Sequence, residues 1–259
     1  MTSRLATLAA DLAVALRTVT LRAVSPLEAV LRPAEGSQPP LWLRRHAGPL
    51  RAFRSSAEGA VDLLERLELL RPATRVLDFG CGPGSLVPLL QSRLGPQGRY
   101  LGLDVHAPSI AWCAEAFAGD SRFAFRPLVG SLWPAETAAY DLVVAKSVFT
   151  HLLEPEARVA LGEIRRCLAP EGHALVTAFA FDGTQFGGRP LPWFPHPGNE
   201  AQVRWRRAAR PTAAVAYERG CLERMCVEGG LQPENFVFGY FPGGEGTPRG
   251  QDTLVLRPR

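Results

Sequence analysis

The chain has 259 residues, 46% of them hydrophobic and 21% charged, with a formal net charge of +4. That length fits one large domain, or one with appendages, and is enough to bury a sizeable core. The balanced composition excludes a disordered tail, a collagenous protein and a disulfide-stapled miniprotein. Five cysteines (Cys81, Cys113, Cys167, Cys221 and Cys226) form no CxxC pair, so neither a disulfide framework nor a metal site is expected.

Lys146 is the only lysine, and there are two isoleucines and two asparagines. Codons for all three are A/T-rich, so the skew toward arginine marks a G/C-rich, bacterial genome. A pI near 9.0 is then poor evidence of nucleic-acid binding. Net charge is +4 over residues 1–75, −2 over 76–180 and +2 over 181–259. There is no polybasic stripe interleaved with aromatics, so no nucleic-acid partner is expected. Asp11 and Arg17 interrupt the apolar N-terminus, which argues against a signal peptide. No apolar run reaches the ~18 residues of a membrane span. The expectation is a cytoplasmic protein without membrane insertion.

Leu5, Leu8, Leu12, Leu16 and Val19 fall at helical spacing within residues 3–31, and Pro33, Pro39 and Pro40 follow as a linker. Residues 57–70 read as a second helix, stopped by Pro72. RVLDFGCGPG (75–84) is a strand running into a glycine-rich turn, and a helix to Gly95 comes next. RYLGLDV (99–105) is a second strand, followed by a helix over 106–117. FAFRPLVG (123–130) is a weak third strand and YDLVVAKSVF (140–149) an apolar fourth. Residues 154–168 form an amphipathic helix ended by Pro170 and Gly172, and 173–181 a fifth strand. Strands alternating with helices predict a doubly wound, mostly parallel α/β sheet of seven strands. Residues 181–212 break the rhythm and read as an insertion over the ligand-binding edge. Residues 213–230 read as a helix, and FVFGYF with DTLVLR as a closing strand pair. Residues 1–56 are taken as a helical cap and 57–259 as the main domain.

The specific signal is VLDFGCGPG, with Asp78, Gly80, Gly82 and Gly84 straight after a strand. Glycines let the backbone turn tightly and approach a ligand closely. Asp104 stands at the end of the next strand, where a carboxylate can accept both ribose hydroxyls. A dinucleotide loop would read G-x-G-x-x-G, but Ser85 stands where the third glycine belongs. Asp78 would also repel a pyrophosphate. S-adenosylmethionine carries an ammonium and a sulfonium and no phosphate, so an acidic turn suits it.

The set of motifs resembles the class I S-adenosylmethionine-dependent methyltransferases, a bacterial small-molecule branch among them. VLDFGCGPG is similar to the family's first motif and GLDV to its second. YDLVVAKSVFTHL is similar to the fourth-strand motif and EIRRCLAPEGHALVT to the helix, turn and strand after it. The resemblance covers roughly residues 40–259, with gaps in the insertion. It implies a Rossmann-like fold and S-adenosyl-L-methionine as cofactor, leaving S-adenosyl-L-homocysteine. It also implies that Gly80, Cys81 and Gly82 hold the methionine part, Asp104 takes the ribose and Val105 lies against adenine. Many members place an acidic residue after the third strand for the adenine amine. Here the segment is GSLW, which leaves Ser131 and the backbone of Leu132 to substitute.

Methyl transfer needs alignment of the nucleophile and exclusion of water, and a hydroxyl nucleophile also needs a base. His151, in SVFTHL after the fourth strand, is the candidate for base or substrate-orienting group; the alternative is a structural histidine packed beside the cofactor. Lys146 ends the same strand and is counted with the cofactor site, its head either in the active-site mouth or reaching solvent. In the insertion, Trp193, Phe194 and Trp205 would wall an apolar acceptor pocket. Arg206, with its neighbouring arginines, would bind an anionic group or simply lie on a solvated face. The N-terminal helix is read as a lid or a homodimer contact. The expected function is methyl transfer to an oxygen, or a nitrogen, of a small bacterial secondary metabolite. The alternatives are a cofactor-binding protein without transfer activity and, opposed by the glycine spacing, a nicotinamide-dependent oxidoreductase.

Overall fold

The computed structural model describes residues 38–47, 53–182, 194–198, 202–241 and 251–259. The helix expected over residues 3–31 and the pocket residue Trp193 lie outside them. Among the described residues two helices, α1 (Leu41–His46) and α2 (Phe53–Arg66), precede the first strand. Then come β1 (Arg75–Phe79), α3 (Val87–Gln91), β2 (Arg99–Asp104), α4 (Ala107–Ala116), β3 (Phe123–Pro127) and β4 (Tyr140–Ala145). They are followed by α5 (Glu154–Cys167), β5 (Leu168–Phe181), β6 (His196–Pro197), β7 (Val203–Trp205) and β8 (Val215–Glu218). The chain ends with α6 (Arg219–Glu228), β9 (Leu231–Phe241) and β10 (Gln251–Pro258).

Strands β3-β2-β1-β4-β5 pair in parallel, and β10 and then β9 continue the sheet antiparallel beyond β5. These are the seven strands expected. Among the described residues the sheet holds ten, because the far end of β5 also pairs with β8, which carries β7 and β6. β6 and β7, within the stretch read as an insertion, and β8 just after it therefore form a small sheet extension.

Alternation along the strands sorts the side chains into two cores. Leu77, Phe79, Leu101, Leu103, Val143 and Ala145 pack on one face with Leu161 and Ile164 of α5. Val76, Tyr100, Leu142, Val144 and Leu175 pack on the other with Val61 and Leu64 of α2 and Leu90 of α3. Both faces are covered, which is why these strands read as near-continuous apolar runs. Helix α2 begins at Phe53, so it crosses the boundary drawn at residue 56 in the sequence.

One element differs outright from expectation. Residues 213–230 are not one helix: Val215–Glu218 form β8, parallel to Phe179–Phe181, and the helix starts only at Arg219. Glu218 ends the strand and caps the helix, its carboxylate accepting from the Gly220 and Cys221 amides at 3.0 and 2.7 Å. Among the described residues no helix is long and apolar enough to cross a membrane.

Candidate active site

The glycine turn lies where β1 and β2 end. Gly80 and Cys81 both donate their amide hydrogens to the Leu103 carbonyl, at 2.7 and 3.0 Å. This fold-back needs the left-handed backbone of Gly80 (φ +75°) and Gly82 (φ +54°), which glycine adopts without a Cβ penalty. Asp104 completes the turn from β2: its Oδ2 accepts from the Gly82 amide and its Oδ1 from the His106 amide, each at 2.7 Å. Each carboxylate oxygen keeps a second lone pair for a ligand hydroxyl.

Asp78 lies beneath the turn, 2% exposed, and accepts from the Tyr100 hydroxyl at 2.7 Å. Burial raises its pKa to about 6, although the Tyr100 bond and the charge of Lys146 work the other way. Lys146 is half-buried, donates to Ser56 Oγ on α2 at 3.5 Å, and has its pKa lowered by the same burial. The Cys81 and Cys113 thiols both approach the Gly82 carbonyl, and burial raises both pKa values, Cys113 to about 12. Buried and protonated, they are packing groups here rather than nucleophiles.

Beyond β4 the chain turns at Ser147, which holds a left-handed φ of +61°. Three bonds stabilise that turn. Ser147 donates its amide to Thr177 Oγ1 of β5 at 2.7 Å; Thr177 Oγ1 donates to Gln251 Oε1 of β10 at 2.6 Å; and Gln251 Nε2 donates to Ser147 Oγ at 3.0 Å. Four residues on, His151 is exposed, and its Nδ1 lies 2.9 Å from the Thr212 carbonyl. A carbonyl only accepts, so Nδ1 carries the proton, and in the neutral ring Nε2 is left as the acceptor. The same junction is tied by the Val215 amide to the Thr150 carbonyl at 2.8 Å and the Tyr217 hydroxyl to the Leu152 carbonyl at 2.5 Å.

These elements enclose a cavity of about 760 Å³. Of the residues singled out in the sequence, Asp78, Gly80, Cys81, Gly82, Asp104, Val105, Ser131, Lys146 and His151 line it. Among the described residues that line it, the carboxylates of Asp78, Asp104 and Glu156 outnumber the one ammonium, Lys146, a balance that suits a cationic ligand better than a pyrophosphate. That set of acceptors fits S-adenosylmethionine.

Comparison with known proteins agrees. Residues 76–172 match the family described as Methyltransferase domain. Ribosomal RNA large subunit methyltransferase E of Azoarcus sp. (strain BH72) is 31% identical over 200 residues, 69% of this chain and 94% of that protein. The chain belongs to the S-adenosylmethionine-dependent methyltransferases. Trans-aconitate 2-methyltransferase of Methylobacterium nodulans is 39% identical over 114 residues, but this covers only 44% of this chain and 41% of that protein. Among solved structures, the Burkholderia thailandensis 1,6-didemethyltoxoflavin-N1-methyltransferase, bound to S-adenosylhomocysteine, shares the fold. Its TM-score is 0.59 at 17% identity, over 83% of each chain.

Other residues expected at the methyltransferase site lie elsewhere. Gly84 is outside the cavity lining; a Cβ there would press on Cys113, Phe117 and Val87, so its place is in the packing of α3 and α4. Leu132 is 69% exposed and also off the lining. Phe194 is buried against Ala214, Ala216, Phe179 and Phe181, and so serves as core of the sheet extension instead of a pocket wall. Trp205 packs on the main core from β7, off the lining. Arg206 is exposed at the end of β7, outside the lining, while the neighbouring Arg204 donates to the Phe194 carbonyl at 2.8 Å. Among the described residues no group of three His, Cys, Asp or Glu is placed to hold a metal.

Sequence spacing missed several cavity residues. Trp133, stacked on Phe79 with ring centroids 4.1 Å apart, and Leu152, Glu156 and Val159 all line the cavity. Their signal was available, since all follow a strand at the sheet's ligand edge. Gln251 gave none, being 104 residues from Ser147.

Proposed function

We propose that this methyltransferase moves a methyl group to an oxygen, or a nitrogen, of a small-molecule acceptor in bacterial secondary metabolism, with His151 as the base. One observation carries the proposal: Thr212 fixes the His151 tautomer, leaving Nε2 as a proton acceptor on a residue that lines the cavity. The relatives named for trans-aconitate and for 1,6-didemethyltoxoflavin act, by those names, on small molecules.

When bound, S-adenosylmethionine supplies a methyl group already activated on a sulfonium. Gly80, Cys81 and Gly82 would hold its methionine part, with Lys146 nearby. Asp104 would take the ribose hydroxyls, and Val105 with Ser131 would meet the adenine. His151 Nε2, at the cavity wall, would take the proton of the acceptor hydroxyl and so leave it a competent nucleophile. The charge that moves onto the imidazole is stabilised by the Thr212 carbonyl on Nδ1–H.

A second acceptor class, RNA, is raised by the relative named for ribosomal RNA. The carboxylates of Asp78, Asp104 and Glu156 around the cavity weigh against a polyanion. The experiment is transfer of labelled methyl to a panel of hydroxylated small molecules, amines, carboxylic acids and large-subunit RNA, by wild type and His151→Ala. Methylation of a small-molecule hydroxyl, reduced about 10²- to 10⁴-fold in the variant with cofactor affinity kept, is the expected result. Transfer to RNA alone, or full turnover by His151→Ala, overturns the proposal.

A further inference from the structure

The cavity has an apolar edge open to solvent. Val105, after β2, is 75% exposed, and Val159, on α5, is 47% exposed, yet both line the cavity. Such side chains gain when a flat apolar group covers them. Near them runs the segment after β3, whose Leu128, Gly130, Ser131 and Trp133 also line the cavity and which brings no carboxylate.

Helix α5 packs along that segment. Its Glu163 accepts from the Trp133 amide at 2.8 Å, and its Arg166 donates to the Trp133 carbonyl at 3.1 Å. Glu156 is seven residues earlier, two turns up the same helix face and roughly 10 Å nearer its N-terminus. That places it toward the cavity end of the segment, and it lines the cavity together with Ser131. Its neighbours are committed elsewhere: Arg158 pairs with Glu154 and with Glu228. Among the described residues the Glu156 side chain makes no hydrogen bond or ion pair. Its side chain is exposed at the open edge of the cavity, an acceptor-only group with no protein donor among those residues.

We propose that Glu156 accepts a hydrogen bond from the exocyclic amine of the cofactor's adenine, with Val105 and Val159 against the purine ring. The carboxylate absent from the segment after β3 is supplied instead from α5. This rests on the cofactor lying in the cavity as set out above, and it makes Glu156 the residue that distinguishes adenine from other purines.

The test is calorimetric titration of the full chain with S-adenosylhomocysteine and with its analogue carrying hydrogen in place of the 6-amino group. Wild type should bind the parent about tenfold more tightly than the analogue, the size of one charge-assisted hydrogen bond in a part-open site. Glu156→Ala should weaken the parent about tenfold, leave the analogue unchanged and so erase the preference. Glu156→Gln, which keeps an acceptor oxygen and the side-chain shape, should retain part of it. Equal affinities in wild type, a preference surviving in Glu156→Ala, or one erased by Ser131→Ala instead would overturn the assignment. Binding of neither ligand by wild type would overturn the cavity placement itself.

Discussion

A methyl group of Val148 occupies the space where any residue other than glycine at position 80 would carry its Cβ. The two come from different strands, Gly80 from the turn after β1 and Val148 from the turn after β4, and both line the cavity. Position 80 is thus held to glycine twice over, by its φ of +75° and by this contact. Gly80→Ala should cost about 2–4 kcal/mol, combining left-handed strain with overpacking. Adding Val148→Ala should recover the packing part and leave the strain. Urea denaturation of the two single variants and the double variant measures the coupling. Additive costs would mean that the contact is relieved by relaxation.

Asp104 has two tasks that one substitution separates. Its oxygens hold the Gly82 and His106 amides and also present lone pairs to a ribose. Asp104→Ala should therefore weaken S-adenosylhomocysteine at least tenfold and also lower stability by about 1–3 kcal/mol, because two amides lose a charged acceptor. Asp104→Asn retains only one acceptor oxygen and should fall between. Calorimetry and thermal melts on the same samples check both halves. Lost affinity at unchanged stability would mean that water replaces the carboxylate on those amides.

Asp78 links stability and cofactor affinity to pH with opposite signs. Burial raises its pKa from the ordinary 3.8 to about 6, against the pull of Tyr100 and Lys146. Between those values the folded chain holds a proton that the unfolded chain has released. The stability Asp78 contributes is therefore full below pH 3.8 and is lost as pH rises through about 6, a change of about 3 kcal/mol. A cation in the cavity favours the ionised carboxylate, so S-adenosylmethionine affinity should rise with pH over the same window, by about fivefold at most from pH 5 to 6. Asp78→Asn should flatten this component of both profiles. Calorimetry in buffers of different ionisation enthalpy should show proton release on binding near pH 5.5, and its absence would place Asp78 outside the cofactor's field.

What the sequence made legible was local. Asp78, the glycines and Asp104 announce themselves because a strand, a tight turn and the next strand's end lie within 30 residues, and the chemistry follows from their order. His151 could be singled out for the same reason, but its tautomer could not, since Thr212 is 61 residues away. VAYE followed by a helix former continues a helical pattern in the sequence, and it is pairing with Phe179–Phe181 on one side and Val203–Trp205 on the other that makes it the strand β8. Phe194 looked like a pocket wall because an aromatic in an irregular stretch has no pattern to say which neighbours bury it; Phe179 and Ala216 do.

The bonds among Ser147, Thr177 and Gln251 show what such distant contacts add. Left-handed backbone at a serine is sparsely populated and persists only where surroundings impose it. Here a fully buried Thr177 accepts the Ser147 amide, and Gln251 at the start of β10 bonds to both hydroxyls. The turn they fix carries Lys146 and Val148 into the cavity wall. Thr177→Val leaves a part-buried amide without its acceptor and should cost about 1–3 kcal/mol. Gln251→Ala removes one partner from each hydroxyl and should cost less in stability. It should nevertheless weaken S-adenosylhomocysteine several-fold, because the turn is freed while the sheet stays paired. Gln251→Glu keeps an acceptor for both hydroxyls and should restore most of that affinity. Equal affinity in wild type and Gln251→Ala would show that Thr177 alone holds the turn and that β10 contributes only its strand pairing.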